Sequence, residues 1–201
     1  MKKILLILLL SALAAPFAIS QGYDIGDEAM NFNLKNVDGN YVSLSDFSDE
    51  KGVIVIFTCN HCPYAKAYEQ RIIKIDQQFD PKGYPVVAIN PNDPKLVPED
   101  SFENMKKRAE NKNYTFPYLI DAKQEVYKAY GATNTPHVFV LENNQGDFTV
   151  EYIGTIDNNY KDPDKVTKTY LADAVESLLK GNKPDPAKTK AIGCSIKDKS
   201  E

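Results

Sequence analysis

The run Val53-Ile54-Val55-Ile56-Phe57 leaves this chain little choice of architecture. Five consecutive β-branched or aromatic residues form a strand that is apolar on both faces, as a central strand is when its sheet is covered on two sides. Thr58-Cys59-Asn60-His61-Cys62 follows directly. From Pro63 to Phe79 the residues Ala65, Tyr68, Ile72, Ile75 and Phe79 then recur at helical spacing, one apolar stripe to lay against that sheet. Two cysteines separated by two residues therefore stand where a buried strand hands over to a helix. Unpaired backbone N–H groups and the positive end of the helix dipole meet there and favour a thiolate over a thiol.

The flanking segments build outward from this junction. Tyr84 to Asn90 is a second apolar strand, so strand, helix and strand make a βαβ unit with parallel strands and a right-handed crossover. Pro91 to Pro98 is a proline-rich loop, Glu99 to Asn111 a helix with Asp100 or Ser101 as its cap, and Phe116 to Ile120 a short strand. Gln124 to Tyr130 is a helix closed by Gly131. Thr133 to Leu141 is a strand led in by Thr135-Pro136, Glu142 to Asp147 a turn, and Phe148 to Gly154 the antiparallel return. Leu171, Val175, Leu178 and Leu179 mark a last helix capped at Asp164 or Thr167. Ahead of the central strand, Val37-Asp38-Gly39-Asn40 turns between two short strands, and residues 21–30 are an extended lead-in. The order predicts an α/β fold, a three-layer α/β/α sandwich with a mixed central sheet and an N-terminal β-hairpin extension.

Lys2-Lys3, the apolar stretch Ile4 to Ala15 and Ala18-Ile19-Ser20 have the layout of a signal peptide, so residues 1–20 are expected to be removed on export. That leaves one domain at 21–181, followed by a Lys-, Pro- and Asp-rich tail at 182–201 that carries Cys194 and is expected to be loosely held apart from Ala191 to Ile196. The net charge is −4, and loss of the leader with its two lysines makes the mature chain more acidic still, which argues against nucleic acid as a partner. Export to the periplasm or beyond places Cys59, Cys62 and Cys194 outside the reducing cytoplasm. Three cysteines are an odd count for a purely structural set of disulfides.

The strand, the Cys-x-x-Cys pair, the helix and, further on, Tyr130-Gly131-Ala132 and Thr135-Pro136 opening a strand and hairpin resemble the thioredoxin fold. The longer stretches FTCNHCPYAK (57–66), INPNDP (89–94), FPYLIDAKQEVYKAYGA (116–132), NTPHVFV (134–140) and IGCSIK (192–197) resemble the peroxiredoxin-like branch of the AhpC/TSA, or redoxin, group. The resemblance implies a cis Thr135-Pro136 bond facing the cysteine pair, with the backbone ahead of the proline receiving an extended substrate chain.

It further implies an exported thiol:disulfide oxidoreductase. Cys59 is expected as the exposed, acidic, attacking sulfur and Cys62 as the one that resolves the mixed disulfide. His61 is expected to stabilise the thiolate, as the histidine at this inner position does in DsbA, and so to make the couple more oxidising than thioredoxin's. Many thioredoxin folds also hold a buried acid beneath the pair. The strand VIVIF has none, and Glu99, Asp100 and Asp121 are the candidates, each expected in a solvated loop. No organic cofactor is required. The partners implied are exported proteins with thiols or disulfides and a membrane or soluble redox partner, with the protein a monomer or weak dimer.

Two other functions compete. A thiol peroxidase of the AhpC/TSA type needs a Pro-x-x-x-Thr/Ser-x-x-Cys loop. Counting back from Cys59, this chain offers Ile56 and Gly52, and from Cys62 it offers Cys59 and Val55. A copper- or zinc-binding metallochaperone of the Sco type would use Cys59, Cys62 and His137, two thiolates and an imidazole, although Sco proteins space their cysteines by three residues. Cys194 is a possible third redox cysteine.

Overall fold

The computed structural model describes residues 22–199, so the signal peptide expected at 1–20 lies outside the described residues. A seven-stranded mixed sheet forms the centre. Its strands are β1 (Asn33–Asn36), β2 (Tyr41–Ser43), β3 (Gly52–Phe57), β4 (Val86–Asn90), β5 (Tyr118–Ile120), β7 (His137–Asn144) and β8 (Asp147–Gly154), in the order β2-β1-β5-β4-β3-β7-β8. A separate two-stranded ladder joins β6 (Asn134–Thr135) to β9 (Cys194–Ser195). The helices are α1 (Pro63–Phe79), α2 (Phe102–Lys112), α3 (Val126–Tyr130) and α4 (Tyr170–Leu179).

All six residues of β3 are buried, and its side chains divide between two cores as a pleated strand requires. Ile54 and Ile56 pack with Tyr68, Ile72 and Phe79 of α1, Met105 of α2 and Leu171 and Val175 of α4. Val53, Val55 and Phe57 pack with Phe139, with Val126 and Tyr130 of α3, and with Phe32 just ahead of β1. Each such side chain, fully buried, contributes roughly 1.5–3 kcal/mol. The pairing β3–β4 is parallel, with Ile54 opposite Val86 and Phe57 opposite Ile89, as the βαβ pattern demands, and β3–β7 is antiparallel. The hairpin β1–β2 extends the sheet through β5, which β1 meets antiparallel.

Gly52 opens β3 because nothing larger fits. A Cβ there would lie 2.2 Å from the Leu141 carbonyl oxygen and 2.3 Å from the Tyr84 ring. Gly52→Ala is therefore expected to destabilise the protein by about 1–3 kcal/mol, the usual cost of overpacking a core. An unchanged thermal midpoint would refute it.

Several element boundaries differ from the sequence expectation, each for a local reason. The turn expected over Glu142–Asp147 is only Gln145-Gly146, both at positive φ, which lets β7 run on to Asn144 and pair with β8. α3 starts at Val126 because Gln124 sits at φ +60°. α4 starts at Tyr170, with Pro163–Lys165 forming a separate 3-10 turn, so neither Asp164 nor Thr167 caps it.

The largest difference is the tail. Expected to be loose from residue 182 apart from Ala191 to Ile196, it is tied to the domain on both sides of that stretch and as far as Lys199. The Ile153 N–H donates to the Ala187 carbonyl and Thr189 N–H donates back to Ile153. Ile196 is buried in the second core, and Gln124 donates to the Lys197 carbonyl at 2.9 Å while its own side-chain oxygen accepts from Lys199 N–H. Backbone pairing and one buried isoleucine outweigh the polar composition from which looseness was inferred. Among the described residues, no helix is long and apolar enough to cross a membrane.

Candidate active site

β3 ends at Phe57, and the chain turns through Thr58 to His61 before α1 begins. Cys62 occupies the N-cap position in an extended conformation, with Pro63 as the first helical residue, where the missing N–H costs nothing. Cys59 is 4% exposed and Cys62 0%. The reachable, exposed Cys59 expected from the sequence is thus not what the fold presents. Both sulfurs lie beneath Tyr64 and Cys194, which pack over the pair together with Ala65.

Asp100 organises the loop between the two cysteines. It stands on a 3-10 turn, Pro98–Asp100, between β4 and α2, with its side chain fully buried. One carboxylate oxygen accepts the backbone N–H groups of Asn60 (2.6 Å) and His61 (3.2 Å). The other accepts from the Asn92 amide (2.7 Å) and from His61 Nδ1 (2.6 Å). Asn60 is held in turn by the Glu99 carbonyl and the Tyr118 hydroxyl. Buried amides must find acceptors, and in this loop a single carboxylate supplies them. His61 Nδ1 also lies 3.5 Å from Cys59 Sγ, so a chain of polar contacts runs from the sulfur through the imidazole to the acid.

On the opposite side, the Thr135 hydroxyl lies 3.1 Å from Cys59 Sγ, and a protonated Cys62 donates to the Thr135 carbonyl at 3.1 Å. The Thr135-Pro136 bond is cis. Cys62 is drawn down to about 4 by the Cys59 thiol that hydrogen-bonds it, against the cost of burial, with help from the Cys194 thiol and the Ala65 backbone N–H. Cys59 is pushed up by its bond to Cys62, by burial and by the charge of Asp100.

Residues 25–153 match the AhpC/TSA family. The chain belongs to that family. Thiol-disulfide oxidoreductase ResA of Geobacillus thermodenitrificans is 31% identical over 152 residues, 72% of this chain and 81% of that protein. The solved structure of a conserved, uncharacterized protein of Geobacillus kaustophilus is 41% identical, with a TM-score of 0.81, and the match covers 89% of this chain and 94% of that one. The thioredoxin domain of a thiol-disulfide oxidoreductase from Bacteroides vulgatus, 22% identical, gives a TM-score of 0.54 over 66% of this chain and 91% of that domain. The fold is thioredoxin-like, with the family's mixed sheet at its centre.

In this AhpC/TSA member the structure brings together Cys59, His61, Cys62, Thr135, Pro136 and Cys194, although their sequence positions span more than half the chain. It differs from the expectation in burial, since Cys59 is enclosed with Cys62 rather than exposed. It also moves the acids. Asp100, expected in a solvated loop, is the buried carboxylate of the site. Asp121 is buried as well but caps α3 through the N–H groups of Glu125 and Tyr127, and Glu99 is exposed. The signal that marks Asp100 is the pair of loop amides at Asn60 and His61, which have no strand or helix partner.

His137 is corrected too. Its Nδ1 accepts the Thr133 N–H at 3.3 Å and its ring packs on Phe139, while burial lowers it to about 4. Among the described residues, the group whose ligand atoms lie within 4.8 Å of one another is Cys59, His61 and Asp100, not Cys59, Cys62 and His137. The two-thiolate, imidazole set of a Sco-type site is therefore not assembled.

Proposed function

We propose that this protein is an exported thiol:disulfide oxidoreductase that exchanges disulfides with protein substrates through Cys59 and Cys62. The observation that carries the proposal is Cys62 at the cap of α1 packed against Cys59, with Thr135 touching both sulfurs, its hydroxyl 3.1 Å from Cys59 Sγ and its carbonyl 3.1 Å from Cys62 Sγ, a dithiol placed to close and reopen a disulfide. The ResA relative, named a thiol-disulfide oxidoreductase, supports it. Thr135 borders both sulfurs, and the backbone edge at Asn134 and Thr135 that the resemblance assigned to an extended substrate chain is taken by the tail strand β9. Stabilisation of one thiolate stabilises the reduced form, which makes the couple more oxidising than that of thioredoxin. The leader at 1–20 delivers the protein to the periplasm or the exterior, where exported thiol proteins are its partners.

The peroxidase reading has less support. Ile56, at the hydroxyl position counted from Cys59, is buried in the core of β3, and Gly52 stands at the proline position. Insulin reduction driven by dithiothreitol tests the proposal. Wild type is expected to accelerate it and Cys59→Ser to run at the uncatalysed rate. Equal rates for the two would refute the assignment.

A further inference from the structure

The tail strand β9 does more than close the domain. Thr135 pairs with Cys194 and Asn134 with Ser195, so the tail runs antiparallel along the two residues that lead to the cysteine pair. Gly193 makes the approach possible. A Cβ at that position would stand 2.2 Å from the Thr135 carbonyl oxygen and 3.1 Å from the Pro136 nitrogen. The Asn134 amide holds the Gly193 carbonyl at 2.9 Å, the Ile196 N–H donates to Thr133, and the Lys197 N–H donates to Asn92 Oδ1 at 2.8 Å. Asn92 is the same residue that steadies Asp100, so the tail and the loop of the pair share a support.

This fit delivers a third sulfur. Cys194 packs against the cluster of Cys59, Cys62 and Ala65. Cys59 and Cys62 are buried, whereas Cys194 is only partly so. A partner's disulfide therefore meets Cys194 before it can meet either member of the pair.

We infer that Cys194 is the relay cysteine of the enzyme, carrying disulfide exchange between the protein substrate and the buried Cys59–Cys62 pair through a Cys62–Cys194 disulfide. The inference rests on the oxidoreductase reading and deepens it. When a substrate disulfide is reduced, the Cys194 sulfur attacks one substrate sulfur. The substrate S–S bond breaks, a Cys194–substrate bond forms, and the Cys194 proton leaves with the expelled substrate thiol. The Cys62 thiolate then attacks Cys194, forming Cys62–Cys194 and releasing the second substrate thiolate. Cys59 gives its proton to that thiolate and attacks Cys62, which closes Cys59–Cys62 and frees Cys194 as a thiolate. The substrate has gained two electrons, both from the pair, and two protons, one from Cys59 and one from Cys194, whose thiolate then takes up a proton from water.

Full-length protein and variants, equilibrated with oxidised glutathione, quenched with acid and digested with trypsin without reductant, test this. In Cys59→Ser the inference expects peptides 52–66 and 191–197 joined by one disulfide within a monomer. Glutathione on Cys62 with Cys194 free would overturn it. In Cys194→Ser the Cys59–Cys62 disulfide is expected still to form while turnover of insulin falls at least tenfold, and unchanged turnover would likewise overturn it. Wild type separates the two claims. If peptide 52–66 never loses two mass units by closing Cys59–Cys62, the oxidoreductase reading itself falls. If it closes and only the Cys62–Cys194 link is missing, the relay alone falls.

Discussion

Asp100→Ala is expected to lower the stability of the folded protein by about 3–5 kcal/mol, the range found when one partner of a buried charged network is removed. The carboxylate is fully buried and accepts two backbone amides, one asparagine amide and the His61 imidazole, so alanine strands all four donors inside the protein. Urea unfolding measures it through the midpoint at constant slope. A loss below about 1 kcal/mol would show that water replaces the carboxylate freely.

Asp100→Asn separates structure from charge. Its side-chain oxygen still accepts the loop amides, but of the causes that push Cys59 up, the contact with Cys62 and burial remain while the carboxylate charge is gone. Cys59 then ionises more readily, the reduced form gains stability, and the potential rises, by on the order of 30 mV for a tenfold change in the exchange equilibrium. Equilibration with glutathione buffers reads the shift, and a fall in potential would contradict the placement of the charge.

The second large effect is on acid stability, and it comes from His137. Burial holds the folded-state value down to about 4, against about 6.5 for an exposed imidazole. Above pH 6.5 both folded and unfolded chains carry the neutral ring, and the group has no influence on stability. Between pH 6.5 and 4 the unfolded chain takes up a proton that the folded one refuses, and stability is lost as the pH falls. Below the folded-state value both are protonated and the loss stops growing, at on the order of 3 kcal/mol. His137→Asn keeps an acceptor for the Thr133 N–H without the titration, so its stability should change less over this window. Parallel urea midpoints for wild type and variant from pH 7 to pH 4 would exclude His137 as the source.

The central strand, its helix and the cysteine pair between them were legible because one-dimensional patterns encode them. Ile54 and Ile56 face one core and Val53, Val55 and Phe57 the other, which is the pleat written directly into side-chain chemistry. The parallel β3–β4 register and the cap at Cys62 follow from the same stretch.

What sequence pattern could not supply were contacts between segments far apart in the chain. Asp100 lies forty positions from Asn60 and sits in a stretch that reads as polar loop, so its burial depends on where the loop amides end up. The tail from residue 182 has the composition of a disordered segment, yet Gly193 and Ile196 find a matching backbone edge and a core position that exist only once β6 and α3 are in place. The chain alone therefore determined the fold and the place of the cysteine pair at the strand–helix junction, since hydrophobic periodicity and helix-cap chemistry are local. Which acid lies buried under the loop of the pair, and which of the three cysteines is least enclosed, were decided by tertiary structure, because burial and hydrogen-bond supply at a point depend on everything packed around it.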